Sequence, residues 1–347
     1  MSAEEGAKPV NKLGFTIQEY AGGKSTLCEG CGHNAITAQI IQAAWESGIE
    51  PHRVAKISGI GCSSKTTAYF MGKSWGFNTI HGRAAPVATG VALANRGLRQ
   101  ILISGDGDSL SIGTAHFVHL VRRNVPLVYI IDDNGVYALT KGQFSATSDI
   151  GSALKHGAVN QIAPIDPCAL AIELGCGFVA RTFSGNTKQL KAVLRAALAY
   201  EGLALIDALS PCVTFNNHET STRSYRAVTE RNRPLHDLDF VMPHEQTSVE
   251  IPPGERREVT FPDGSSLSLR SLREDYDPSD RGRALDAIHA SLGAGELLTG
   301  LLFHRPLSRT VQDLVGTLAS PLVELGEEAT KPSRAVLAEI NSGLLAF

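Results

Sequence analysis

The sequence predicts a doubly wound, mostly parallel α/β domain followed by a C-terminal extension. Short apolar runs that read as buried strands alternate with segments of helical periodicity between Asn34 and Leu209. Several of those runs end directly on turn-forming stretches, Ser58-Gly59-Ile60-Gly61-Cys62, Gly105-Asp106-Gly107-Asp108, Asp133-Asn134-Gly135-Val136-Tyr137 and Ser210-Pro211-Cys212. From about Asn216 the texture changes and polar and charged residues dominate.

Taken in order, residues 1–27 read as a loose arm leading to Cys28-Glu29-Gly30-Cys31-Gly32-His33. A helix is expected over about Asn34 to Ser47 and a strand over Val54 to Ile57. A glycine-rich passage through His81-Gly82-Arg83 leads into a helix from about Pro86 to Arg96. Ile101 to Ser104 and Leu127 to Ile131 read as strands flanking one helix, Ser111 to Arg123. A strand-helix-strand unit of this kind crosses over right-handed and gives two parallel strands. After a loop of Leu139 to Ser152 come a helix (about Cys168 to Gly175), a strand near Phe178-Val179-Ala180, a helix (about Lys188 to Tyr200) and a buried strand, Leu203 to Leu209. In the tail, Glu258 to Leu269 resembles a hairpin turning at Asp263-Gly264, and helical segments fall near Ala284–Ser291 and Arg334–Leu345. The expected division is an arm (1–27), an α/β domain (28–220) and an extension (221–347) that packs on the core or on a partner.

Composition narrows the function classes. A chain of 347 residues, 43% of them hydrophobic, can bury a large core. A net charge of −3 with no basic run leaves no electrostatic footprint for nucleic acid. No apolar stretch approaches the roughly 18–20 residues that span a bilayer, and Met1 to Asn11 lacks an apolar signal core. The expectation is a cytoplasmic protein, in which the six cysteines serve as ligands or core residues rather than disulfides.

Parallel strands send their following loops to one carboxyl edge, where open α/β folds bind ligands. Magnesium takes about six oxygen ligands, commonly few carboxylates together with phosphate oxygens and water. Asp106 offers a carboxylate, Asn134 an amide oxygen and the loop near Val136 a backbone carbonyl; a diphosphate completes the shell. Gly105 and Gly107 let the backbone approach phosphates, and the start of the Ser111 helix offers N–H donors. Asn134-Gly135 alone is a common turn, and Gly-Asp-Gly alone a common loop. Their ordered spacing, each at the end of a buried strand, points beyond turns and resembles the thiamine diphosphate signature.

The cysteines tell a parallel story. Cys28 and Cys31 form a C-x-x-C pair, while Cys62 and Cys212 each follow a predicted strand, as Asp106 and Asn134 do. If the arm folds over that edge, four thiolates gather at one centre and suit zinc or an iron–sulfur cluster. A redox pair normally opens a helix in a small domain, and the haem motif is broken because Gly32 precedes His33. Cys168 and Cys176 sit in an apolar helix and at its end, and read as core.

Together these motifs resemble, in order, the beta (thiamine diphosphate-binding) subunit of the 2-oxoacid:ferredoxin oxidoreductases. The resemblance also rests on Ser63, His81-Gly82-Arg83, Leu139-Thr140-Lys141-Gly142-Gln143 and Val213-Thr214-Phe215-Asn216, and covers roughly residues 20–220. Glu29 stands where the family usually has proline, which leaves both thiolates in place. The tail matches more weakly, although Asp277-Pro278-Ser279-Asp280-Arg281 near a helix start resembles a family feature.

The resemblance implies a thiamine diphosphate-binding fold and CoA-dependent oxidative decarboxylation of a 2-oxoacid, reversibly, with electrons passing through a [4Fe–4S] cluster to ferredoxin. Cys28, Cys31, Cys62 and Cys212 then bind the cluster, and Asp106, Asn134 and the Val136 carbonyl hold Mg²⁺ on thiamine diphosphate. Ile60, Gly61 and Cys62 lie beside the cofactor rings, and His81, Gly105, Gly107, Asp108, Tyr137, Ala138 and Leu139 complete its site. Lys65 steers substrate or cofactor, or is an ordinary surface lysine. The glutamate that faces the cofactor's aminopyrimidine in such enzymes has no candidate here and is expected on an alpha subunit, within a heterotetramer of two alpha and two beta chains. The Leu139–Gln143 stretch resembles the 2-oxoglutarate branch more than the pyruvate branch, with Lys141 a candidate for the second carboxylate. Two rivals remain at this point: a non-oxidative thiamine enzyme half with a structural zinc, and an electron-transfer subunit without thiamine.

Overall fold

The computed structural model describes residues 8–154, 157–217, 221, 223–235, 256–260, 266–270, 276–306 and 309–345. Its strands are β1 (Val54–Ser58), β2 (Trp75–Asn78), β3 (Arg99–Gly105), β4 (Leu127–Asp133), β5 (Val136–Tyr137), β6 (Gln143–Phe144), β7 (Phe178–Phe183), β8 (Leu203–Leu209), β9 (Asn232–Pro234), β10 (Arg256–Thr260), β11 (Ser266–Arg270) and β12 (Leu297–His304). An eight-stranded sheet runs in the order β2-β1-β3-β4-β8-β7-β12-β9. Neighbours from β2 to β7 pair in parallel, and β12 joins β7 antiparallel. The mostly parallel α/β architecture that the sequence predicts is therefore present.

Helices cover both faces: α1 (Gly32–Glu46), α2 (Cys62–Lys65), α3 (Ala84–Ala94), α4 (Thr114–Arg122), α5 (Pro167–Glu173), α6 (Thr187–Ala199), α7 (Tyr225–Arg231) and α8 (Arg281–Gly293). Alternation along each strand sorts the side chains into two cores. Ile101 and Ile103 of β3 and Val128 and Ile130 of β4 pack with Ile36, Ile40, Leu190 and Leu194 beneath α1 and α6. Leu102, Tyr129 and Ile131 face the other way, against Phe117 and Leu120 of α4. Each such buried aliphatic side chain contributes about 1.5–3 kcal/mol. Cys168 and Cys176 lie inside this second core, as their apolar setting suggests.

Some local expectations need correction. The arm is not wholly loose: Tyr20 is fully buried in the first core, and Asn11 donates to its hydroxyl. The single helix expected from Ser111 to Arg123 is instead a wide π turn, Gly107–Ile112, followed by α4. Gly113 N–H donates to the Asp108 carbonyl five residues back, which widens the turn directly after the Gly-Asp-Gly loop. The segment 221–347 contributes β9 and β12 to the central sheet. Strands β10 and β11 form the expected antiparallel hairpin, whose turn at Asp263-Gly264 lies outside the described residues. Asp280 caps α8 by accepting from Arg283 N–H at 3.1 Å.

Candidate functional site

Strands β1, β3, β4 and β8 are consecutive in the sheet, so their following loops emerge side by side, about 4.8 Å apart per strand. Those loops carry Ile60-Gly61-Cys62, Asp106-Gly107-Asp108, Asn134-Gly135-Val136 and Pro211-Cys212. A cavity of about 380 Å³ opens above them. Its walls include Ile60, Gly61, Cys62, Lys65, His81, Gly105, Asp106, Gly107, Asp108, Asn134, Val136, Tyr137, Ala138 and Leu139, which are all of the cofactor-site residues that the sequence singles out.

Asp106 is buried at the floor, and its hydrogen bonds converge on one oxygen. Oδ2 accepts from Gly135 N–H at 3.1 Å, from Thr147 Oγ1 at 2.6 Å and from the Ser145 hydroxyl. No described residue donates to Oδ1, which leaves that oxygen for a cation. Burial first, and then the charge of Asp133, push the Asp106 carboxyl up to about 7. Asn134 holds its turn by accepting the Val136 N–H at 3.0 Å through Oδ1, which keeps a second lone pair. Ser145 and Thr147 were not legible as site residues; they lie in an unpatterned loop and matter only because the fold brings them to Asp106.

Asp108 lines the cavity with the other expected residues, and its carboxylate also braces the loops around it. Its Oδ1 accepts from Gly82 N–H at 2.6 Å, tying the His81-Gly82 loop to the Asp106 loop, and its Oδ2 accepts from Ser104 Oγ of β3 at 2.6 Å. Gly107 is required by close approach: a Cβ there would stand 2.5 Å from the Tyr137 ring. The Tyr137 hydroxyl in turn donates to the Gly107 carbonyl at 3.0 Å. Lys141 lines neither this cavity nor its neighbour and is exposed, at φ +79° in the turn before β6. Lys65, half-buried at the end of α2, is the lysine that lines the cavity.

A second cavity, of about 240 Å³, adjoins the first and is lined by Cys28, Cys31, Cys62 and Cys212. The two share Cys62, Lys65, Asn134, Ala138 and Leu139. Cys28 and Cys31 flank a tight turn in which Cys31 N–H donates to the Cys28 carbonyl at 3.2 Å and Gly30 sits at φ +74°, the positive φ of a type II turn. Proline and Glu29 are equally at home at the position before it. Gly32 lets α1 start against β8, because a Cβ would meet the Ser184 and Ser210 hydroxyls at 2.6 Å. Burial pushes the Cys31 thiol up to about 12, and Cys62 is raised by burial and the nearby Cys212 while Lys65 opposes the shift. Thr214 Oγ1 donates to Cys28 Sγ at 3.5 Å.

Behind the cysteines, His33 Nδ1 lies 2.6 Å from Ser210 Oγ and 3.8 Å from Asp132. Burial lowers His33 to about 4, and burial followed by the charge of Asp106 raises the Asp132 carboxyl well above its ordinary value. Among the described residues, no three His, Cys, Asp or Glu side chains are grouped closely enough to hold a single metal ion. Mononuclear zinc needs thiolates about 2.3 Å from one centre. The four cysteines nevertheless line one cavity.

Comparison with known proteins places this geometry. Residues 59–208 match the C-terminal TPP-binding domain of thiamine pyrophosphate enzymes. The chain is 45% identical over 194 residues to the 2-oxoacid:ferredoxin oxidoreductase subunit beta of Saccharolobus solfataricus, spanning 56% of this chain and 64% of that relative's length. It is 34% identical over 200 residues to the 2-oxoglutarate synthase subunit KorB of Methanothermobacter marburgensis, covering 57% of this chain and 69% of the relative. The solved 2-oxoglutarate:ferredoxin oxidoreductase from Magnetococcus marinus, with 2-oxoglutarate, coenzyme A and succinyl-CoA bound, superposes with a TM-score of 0.71 at 29% identity, over 95% of this chain and 98% of that one. The chain belongs to the family of 2-oxoacid:ferredoxin oxidoreductase beta subunits.

Proposed function

We propose that this chain is the cofactor-binding half of a CoA-dependent 2-oxoacid:ferredoxin oxidoreductase that acts on 2-oxoglutarate. The observation that carries this reading is the shared wall between the two cavities. Cys62 lies on both, within the same edge as Asp106 and Asn134. A thiamine enzyme without electron transfer has no use for four cysteines there, and an electron carrier without thiamine has no use for the Asp106–Asn134 pair.

The donor sets fit both groups. Asp106 Oδ1, the Asn134 amide oxygen and the Val136 carbonyl are hard oxygen ligands for Mg²⁺ on a diphosphate. Asp106 Oδ1 receives no hydrogen bond from a described residue, so the buried carboxyl that lines the cavity keeps one oxygen for a cation. Cys28, Cys31, Cys62 and Cys212 are the soft ligands for a [4Fe–4S] cluster. Thiamine diphosphate supplies the capacity to activate a 2-oxoacid for decarboxylation, and a cluster supplies one-electron transfer. The protein's own contribution is position and charge. Gly107 and Tyr137 set the loop against the diphosphate, and Lys65 presents an ammonium to an anionic substrate. The balanced reaction takes a 2-oxoacid, coenzyme A and two oxidised ferredoxins to acyl-CoA, carbon dioxide, two reduced ferredoxins and a proton.

Among the described residues no glutamate lines the cofactor cavity, which supports an alpha subunit completing the site in a heterotetramer. No helix among the described residues is long and apolar enough to cross a membrane. The test is anaerobic purification of the chain with its alpha subunit, followed by iron and zinc analysis, extraction of thiamine diphosphate and assay with 2-oxoglutarate and pyruvate. Iron with thiamine and a preference for 2-oxoglutarate supports the reading. Zinc without visible absorption, or turnover by this chain alone at the rate of the assembled complex, overturns it.

A further inference from the structure

We propose that Asn216 couples the two cofactor sites, so that filling the cysteine cavity tightens binding in the diphosphate cavity. The inference rests on the assignment of Cys212 and Asn134 given under the proposed function. Asn216 touches both loops at once. Its backbone N–H donates to the Cys212 carbonyl at 2.9 Å, closing the turn that carries the cysteine. Its side-chain Nδ2 donates to the Asn134 carbonyl at 2.8 Å. The residue is buried, and it lies against the turn itself: a Cβ on Gly135 would stand 3.1 Å from Nδ2.

The Asn216 amide is bonded at both its ends. Asn216 Oδ1 accepts from the Ser221 hydroxyl, and Ser221 Oγ accepts the Arg223 N–H at 3.2 Å. Arg223 donates to the Thr147 carbonyl at 3.0 Å, and its guanidinium lies 3.6 Å from Asp133. A buried amide with its donor and acceptor both engaged has one orientation, because breaking either bond strands a polar group. Between its anchors, the Cys212–Asn216 turn is half-exposed at Cys212 and exposed at Thr214, so the chain itself holds its cysteine end less firmly than its buried Asn216 end. A cluster bonded to Cys212 fixes the turn, the turn fixes Asn216, and Asn216 fixes the peptide of Asn134. Linkage then requires the reverse effect, with thiamine diphosphate and Mg²⁺ stabilising the cluster by the same factor.

The experiment uses the assembled complex under anaerobic conditions. The dissociation constant of thiamine diphosphate with Mg²⁺ is measured on cluster-loaded protein and on protein stripped by a chelator. In the wild type the loaded form should bind about tenfold tighter, within the usual range for coupling between sites. In Asn216→Ala the advantage of loading should disappear, so that the two forms bind alike. A residue with a merely structural role would weaken both forms alike and leave the ratio intact. Ser221→Ala removes the hydroxyl that holds Asn216 and receives the Arg223 N–H, and serves where Asn216→Ala fails to assemble; its ratio should fall as well. A wild-type ratio of one, or an unchanged ratio in either variant, overturns the coupling. Wild-type complex that contains no iron would instead overturn the proposed function.

Discussion

The Thr147 hydroxyl stands 2.6 Å from Asp106 Oδ2, and the same oxygen lies 2.7 Å from Asp133 Oδ1. A hydroxyl has one proton to donate, so it cannot satisfy two ionised carboxylates at once. In the metal-free chain the shared contact is served best when one carboxyl keeps a proton, which agrees with Asp106 being raised to about 7 by burial and by Asp133.

A pH dependence follows with a definite sign. A carboxyl raised by folding binds its proton more tightly in the folded chain, so metal-free stability falls as pH rises from the ordinary carboxylate range towards 7. Mg²⁺ must displace that proton, so the affinity for Mg²⁺ with thiamine diphosphate should rise with pH up to about 7 and level off above it. Titration calorimetry in two buffers of different ionisation enthalpy should show proton release at pH 6 and little at pH 8. Equal affinity and no proton release at both would contradict the assignment of Asp106.

The ligand loops were legible because each sits at the end of a strand with a strong local pattern, and the sheet order puts β1, β3, β4 and β8 side by side. What supports them was not. Thr147, Asn216 and Arg223 act through contacts made across the fold, which local pattern does not encode. Strand β12 was missed because Gly300, at φ +124°, interrupts an otherwise apolar run just before its register shifts. Strand β2 is four residues long and exposed throughout, so it has no buried face to announce it. Lys141 drew attention as a basic residue inside a family motif, yet the turn leaves it outside both cavities.

The two classes of cysteine should separate cleanly. Cys212→Ala removes a proposed cluster ligand and should abolish the iron and the visible absorption. Cys176→Ala removes a thiol that is 1% exposed in the core, and should cost about 1–2 kcal/mol while keeping the iron. Iron per chain and thermal unfolding measure both. Full iron in both variants would dismiss the ligand set.

Gly107→Ala should weaken thiamine diphosphate binding more than it weakens the fold. The added methyl falls 2.5 Å from the Tyr137 ring, and relieving that overlap costs about 1–3 kcal/mol as the diphosphate loop shifts. Tyr137→Ala should partly restore stability in the Gly107→Ala background, although it is harmful alone. Additive losses in that double-mutant cycle would show that the two residues do not press on each other.

Lys65→Met should identify the residue that reads the second carboxylate. Lys65 lines both cavities and is the lysine present in either, whereas Lys141 lines neither. Removing a half-exposed partner of an ion pair costs less than removing a buried one, because water screens the charge. The expected loss is therefore about tenfold to a hundredfold in kcat/KM for 2-oxoglutarate. Pyruvate, with one carboxylate fewer, should lose much less, so the variant's preference shifts towards it. Lys141→Met should leave both substrates as they were. An equal loss for the two substrates in Lys65→Met would mean that this ammonium serves the cofactor or the cluster rather than the substrate's distal charge.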